Sequence, residues 1–127
     1  MPAQRHGVLA IIGSGETSPT MVTVHKRLAE RLPGSRRCVL LETPYLFQTN
    51  ASGVSAKATA YFARSVDLSV TAVPGTGSGA GSDADVAAIR AADWVFAGPG
   101  SPSYALRHWR GAPVGHALRD RIRAATG

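Results

Sequence analysis

Short continuous apolar runs alternate along this chain with longer stretches in which apolar residues return every three or four positions. Val8 to Ile12 is a run of five that ends at Gly13, the pattern of a strand buried on both faces of a parallel sheet. Ser18 followed by Pro19 marks a helix start, because serine caps free N–H groups and proline fits the first helical position. Met21, Val24, Leu28 and Leu32 then share one helical face until Pro33 and Gly34 end it. The pattern repeats with a strand at Cys38 to Leu41, a loop from Glu42 to Asn50, and a helix with Val54, Ala58, Tyr61 and Phe62 on its apolar face.

A third strand is predicted at Leu68 to Val73 and a fourth at Trp94 to Ala97. Between them, Pro74 to Ser82 is Gly- and Ser-rich and reads as a flexible loop. Ser82 with Asp85 resembles a capping box for a short helix ending near Ala91, with Val86 and Ile89 turned inward. Ser101 and Pro102 mark another helix start, packed by Tyr104, Ala105 and Trp109, and Val114, Leu118 and Ile122 define a last helix. Strands alternating with helices predict a three-layer α/β sandwich with a mainly parallel sheet, joined by right-handed crossovers. Ligands in such sheets gather at the carboxyl ends of the strands. The loops of interest are therefore Gly13 to Thr17, Glu42 to Asn50, Pro74 to Ser82 and Gly98 to Ser103.

The 127 residues suit one domain, 1–127, and 44% apolar against 17% charged residues is a globular balance. Net charge is +6, with twelve arginines, spread from Arg5 to Arg90 and denser at Arg107, Arg110, Arg119, Arg121 and Arg123. Their positions on amphipathic helices predict solvated faces; a nucleic-acid partner, which would want a continuous basic stripe with interleaved aromatics, is not expected. The opening apolar run is too short for a signal peptide or a membrane span, so no membrane association and a cytoplasmic location are expected. Cys38, the single cysteine, lies within a predicted strand and reads as an inert packed thiol.

Several chemistries find no match. No glycine precedes a lysine, which removes the phosphate-loop NTPases. His6, His25, His108 and His116 show no i, i+4 pair, so no metal site is expected. The Gly75 to Ala84 stretch fits a loose dinucleotide pattern, but no acidic residue closes a strand about twenty residues on, and no cofactor is expected. No Gly-x-Ser-x-Gly or Gly-x-Cys-x-Gly occurs, and Ser14 between Gly13 and Gly15 imitates such an elbow only in part. His25 reads as a boundary or surface residue.

Three segments, taken together, carry a resemblance: ValLeuAlaIleIleGlySerGlyGlu from Val8, LeuLeuGluThrProTyrLeuPheGlnThrAsn from Leu40, and AlaAlaAspTrpValPheAlaGlyProGlySerProSerTyrAlaLeu from Ala91. In that order they resemble the type 1 glutamine amidotransferase-like proteins related to dipeptidase E and cyanophycinase. The resemblance implies a flavodoxin-like sandwich and a serine- or cysteine-type hydrolase acting on a small peptide or amide. It also implies that Gly98, Gly100 and Ser101 form an oxyanion or substrate loop, with Pro99 and Ser101 departing from the family's pattern. Gly13, Ser14, Gly15, Glu16, Tyr45 and Phe47 are further strand-end candidates. The family's nucleophile and histidine would fall after Gly127. The expectation is accordingly a domain that stops before its nucleophile strand, inactive alone, with a homodimer as one consequence. A noncatalytic module for a small anion or peptide is the alternative.

Overall fold

A computed structural model describes residues 7–13, 15–76 and 80–126. Among these residues three strands, β1 (Arg37–Leu41), β2 (Ser69–Val73) and β3 (Trp94–Ala97), form an open parallel sheet in the order β2-β1-β3. Among the described residues five α-helices accompany them: α1 (Val22–Ala29), α2 (Ala51–Ser65), α3 (Ala80–Ala91), α4 (Pro102–Trp109) and α5 (Pro113–Thr126). The chain is a flavodoxin-like α/β sandwich, with helices on both sides of the sheet.

Alternation along the strands distributes side chains between two cores. Val39 and Leu41 of β1 face one way, with Val73, Ile89, Val114 and Ala117, beneath α3 and α5. Cys38 faces the other way, with Ala29, Phe62, Val66 and Leu68, beneath α1 and α2. Because α2 joins β1 to β2 on one face and α3 joins β2 to β3 on the other, both crossovers have one hand, as parallel sheets require. Phe62 is fully buried, and its ring meets Trp94 at 5.8 Å and Phe96 at 4.8 Å between centroids.

The amino end of the sheet is tied by charge. Arg36, in the left-handed region at φ 47°, donates from Nε to Asp67 O at 2.8 Å and from Nη2 to Val66 O at 2.7 Å. A third bond reaches Ala29 O at 3.3 Å, so one guanidinium sits at the carboxyl ends of both α1 and α2, where helix dipoles favour a cation. Asp93 accepts from Ser35 Oγ at 2.6 Å and from the Arg37 N–H at 2.8 Å. Burial alone would raise its carboxyl, but these bonds and the charges of Arg37 and Arg121 hold it below the usual range.

Four expectations need correction. Val8 to Ile12 joins no strand; Val8, Leu9 and Ile11 are 48%, 51% and 91% exposed, because the run has no paired neighbour along its backbone. Helix α3 starts at Ala80, so Ser82 lies inside it, and Asp85 accepts from the Gly75 N–H at 3.1 Å instead of closing a capping box. For the predicted flexible loop this leaves Pro74 to Thr76 outside helix, while residues 77–79 lie outside the described residues. His25 is buried at 1% exposure, not at the surface, because Tyr61, Phe62 and Trp94 enclose its ring.

Candidate functional site

The carboxyl ends of β1 and β3 meet through a loop pair that is fitted atom to atom. Leu41 leads into Glu42, whose N–H donates to Val73 O at 2.9 Å, and then into a tight turn over Thr43–Tyr45. Thr43 Oγ1 donates to Pro74 O at 2.7 Å and accepts from Trp109 Nε1 at 3.2 Å, which ties β1, the β2 exit and α4 to one hydroxyl. Tyr45 is buried under Gly98: a Cβ at Gly98 would lie 2.6 Å from the Tyr45 Cε1 atom. Gly100 has φ 143°, and a Cβ there would lie 2.2 Å from Pro44 O. Only glycine meets both demands at position 100.

Ser101 is committed twice. Its N–H donates to Pro44 O at 2.8 Å, and its Oγ accepts from the Tyr104 N–H at 3.1 Å as the cap of α4. The Gly98 N–H points to Leu41 O at 3.5 Å, and Pro99 has no N–H. Of the proposed oxyanion loop, Gly100 therefore keeps the N–H with no acceptor among the described residues.

Beside this loop lies a side-chain chain absent from the sequence reading. Ser55 donates to Glu42 Oε2, which leaves the Tyr45 hydroxyl as the donor to Ser55 Oγ at 2.7 Å. Burial pushes the Tyr45 phenol up, and the Glu42 charge adds to that, outweighing the Ser55 bond. Tyr45 is thus a neutral donor and not a base. Glu42 could have been noticed as a carboxylate immediately after a buried strand; nothing local marks Ser55, which sits one residue from Val54 on the predicted apolar face.

The remaining candidates are dispersed. Gly13 and Glu16 line a groove shared with Gly98 on the outer side of β3. The Gly15 carbonyl accepts from the Ser18 N–H at 3.0 Å, and Ser14 lies outside the described residues. Phe47 is 53% exposed and meets Tyr104 in a tilted contact at 4.8 Å between centroids, and Tyr104 meets His108 likewise at 4.7 Å. Tyr45 and Phe47, two residues apart, are therefore separated into a buried wedge and a partly exposed row of tilted rings.

Titratable groups elsewhere are occupied by packing. Cys38 is buried, with its thiol pushed up to about 12 by burial. His25 Nδ1 lies 2.7 Å from the Tyr61 hydroxyl, and burial lowers its pKa. Arg90 and Asp120 pair at 3.1 Å on exposed helix faces. Among the described residues no three metal-ligating side chains gather, and no helix is long and apolar enough to cross a membrane. No family model, curated protein or solved structure matches this chain.

Proposed function

We propose that this chain is a hydrolase-type α/β domain of the class I glutamine amidotransferase-like, serine-peptidase-like group, and that it is noncatalytic on its own. The observation that carries the reading is the Gly98–Ser101 loop, held over the Pro44–Tyr45 turn with the Gly100 N–H unspent. A fixed backbone donor at a strand's carboxyl end suits a substrate carbonyl or a developing oxyanion. The hydroxyls and thiol that could attack are otherwise engaged: Ser55 donates to a carboxylate, Ser101 caps a helix, and Cys38 is a buried thiol. None of them has a histidine partner among the described residues, which is the support for inactivity.

The anion-binding alternative draws less from the same loop. At the start of α4, Pro102 offers no N–H and the Tyr104 N–H is taken by Ser101, so few amides remain for a phosphate. Amide NMR during titration with a glutamine or dipeptide amide tests the proposal. Shifts confined to Gly98, Gly100 and Ser101, with no labelling by a fluorophosphonate, are expected. Labelling at Ser55 or Ser101, or shifts absent from that loop, refutes it.

A further inference from the structure

The outer edge of β3 faces an open groove of about 1910 Å³. One wall is β3 itself, and the opposite wall is the unpaired segment from Gly7 to Gly13. The two faces are closed by α1, through His25 and Leu28, and by α5, through Leu118 and Ile122. The cavity thus has the layered shape of a missing piece of sheet: helices above and below, backbone at both sides.

The unmet hydrogen bonds in this groove belong to an extended chain. Arg37 O and Leu41 O turn toward β3, where they accept from Asp93 and Gly98, so with Val39 opposite Val95 the bonds to β1 fall on Trp94 and Phe96, and the alternation of a strand turns the N–H and C=O groups of Val95 and Ala97 outward. No strand among the described residues pairs with that edge. His25 Nε2, buried at the groove's floor, also has no partner among the described residues. A strand of five residues fills about 800 Å³ at ordinary rise and spacing, so the groove admits one with both walls in place.

Charge narrows the occupant. Arg31, Arg110, Arg119, Arg121 and Arg123 border the groove, against Glu16, Glu30 and Asp93. An occupant needs an apolar middle, to meet Leu28 of α1 and Leu118 and Ile122 of α5, and acidic flanks to meet the arginine rim. We infer that the groove between β3 and the Gly7–Gly13 segment is a strand-acceptor site, which takes in trans an extended apolar segment with acidic flanks and pairs it with the outer edge of β3. Pairing by main-chain bonds, with side pockets for alternate residues, is the physics of strand addition. This site does not depend on the loop chemistry proposed above.

The test uses the intact chain and a soluble peptide with a Val-Ile-Val-Ile-Val centre and an Asp-Glu pair at each end, followed by hydrogen exchange. The peptide should slow exchange at the Val95 and Ala97 amides at least tenfold, and a version with proline at alternate central positions should not. The R119E/R123E variant, altered on exposed helix positions, should bind the acidic-flanked peptide several-fold more weakly and a lysine-flanked one more tightly. No protection at Val95 and Ala97 overturns the inference, as does equal protection by the proline peptide. Protection of those amides without peptide also overturns it: if independent of protein concentration, residues 8–12 close the edge themselves, and if concentration-dependent, a second copy does.

Discussion

Replacing Gly100 with alanine tests the clamp between the β3 exit and the β1 exit, and the structure sets its size. Two costs add. At φ 143° an alanine is held where side chains are rarely tolerated, a strain of about 1–3 kcal/mol. Its Cβ would also lie 2.2 Å from Pro44 O, a backbone atom, so the loop must withdraw. Withdrawal breaks the 2.8 Å bond from the Ser101 N–H to that same oxygen, worth about 1 kcal/mol. The expected loss is about 3 kcal/mol, a large part of the 5–15 kcal/mol that small domains possess. For a chain of this length it should lower the melting temperature by roughly 10 °C. Urea denaturation of Gly100→Ala beside the unaltered protein measures it, with Ser101 and Tyr45 amide shifts reporting the loop. A variant within about 0.5 kcal/mol of the parent, with those shifts unmoved, would show that the loop does not sit on the Pro44 carbonyl.

Gly53→Ala should have the opposite sign, because a Cβ at this helical position meets nothing within 4 Å; a gain of about 0.5–1 kcal/mol in urea is expected. Phe62→Ala removes the ring shared by Trp94 and Phe96 and should cost about 3–5 kcal/mol, read by the same titration with loss of near-ultraviolet dichroism. Cys38 should resist a thiol reagent at pH 8 in the folded protein and react on unfolding, since burial lifts its thiol to about 12; rapid native labelling would contradict its place in the core. Burial lowers the pKa of His25, so the unfolded chain binds the proton more readily. Stability should then fall as pH drops below about 6.5, and His25→Phe should flatten that slope.

Local pattern carried much of the fold. The apolar runs at Cys38 to Leu41 and Trp94 to Ala97 became β1 and β3, and Ser101–Pro102 marked the start of α4, because each signal is written in adjacent residues. What the sequence left hidden depends on neighbours far along the chain. His25 is buried only because Tyr61, Phe62 and Trp94 converge on it. Val8 to Ile12 has the composition of a central strand, but a strand also needs an edge to pair with, and no local pattern reports that. At the candidate site, Gly98, Gly100 and Ser101 were visible as a Gly-rich turn before a helix. That Ser101 would spend its N–H on Pro44, and that Glu42, Ser55 and Tyr45 would link, follows from the packing of separate elements.

The central position of β1 bears on the order in which the chain assembles. Its register joins Arg37 to Ser69 on one side and Cys38 to Trp94 on the other. Loop-closure entropy grows only with the logarithm of length, so the longer closure costs roughly 0.5 kcal/mol more. That difference is too small to set the sequence of events by itself. The intervening helix decides instead: α2 connects β1 to β2 directly and delivers Phe62 to the core they share, so a β1–α2–β2 nucleus can gain burial before β3 arrives. On this route β3 docks last onto a finished edge, and the rate of refolding should answer to changes in α2 more than to changes in α4.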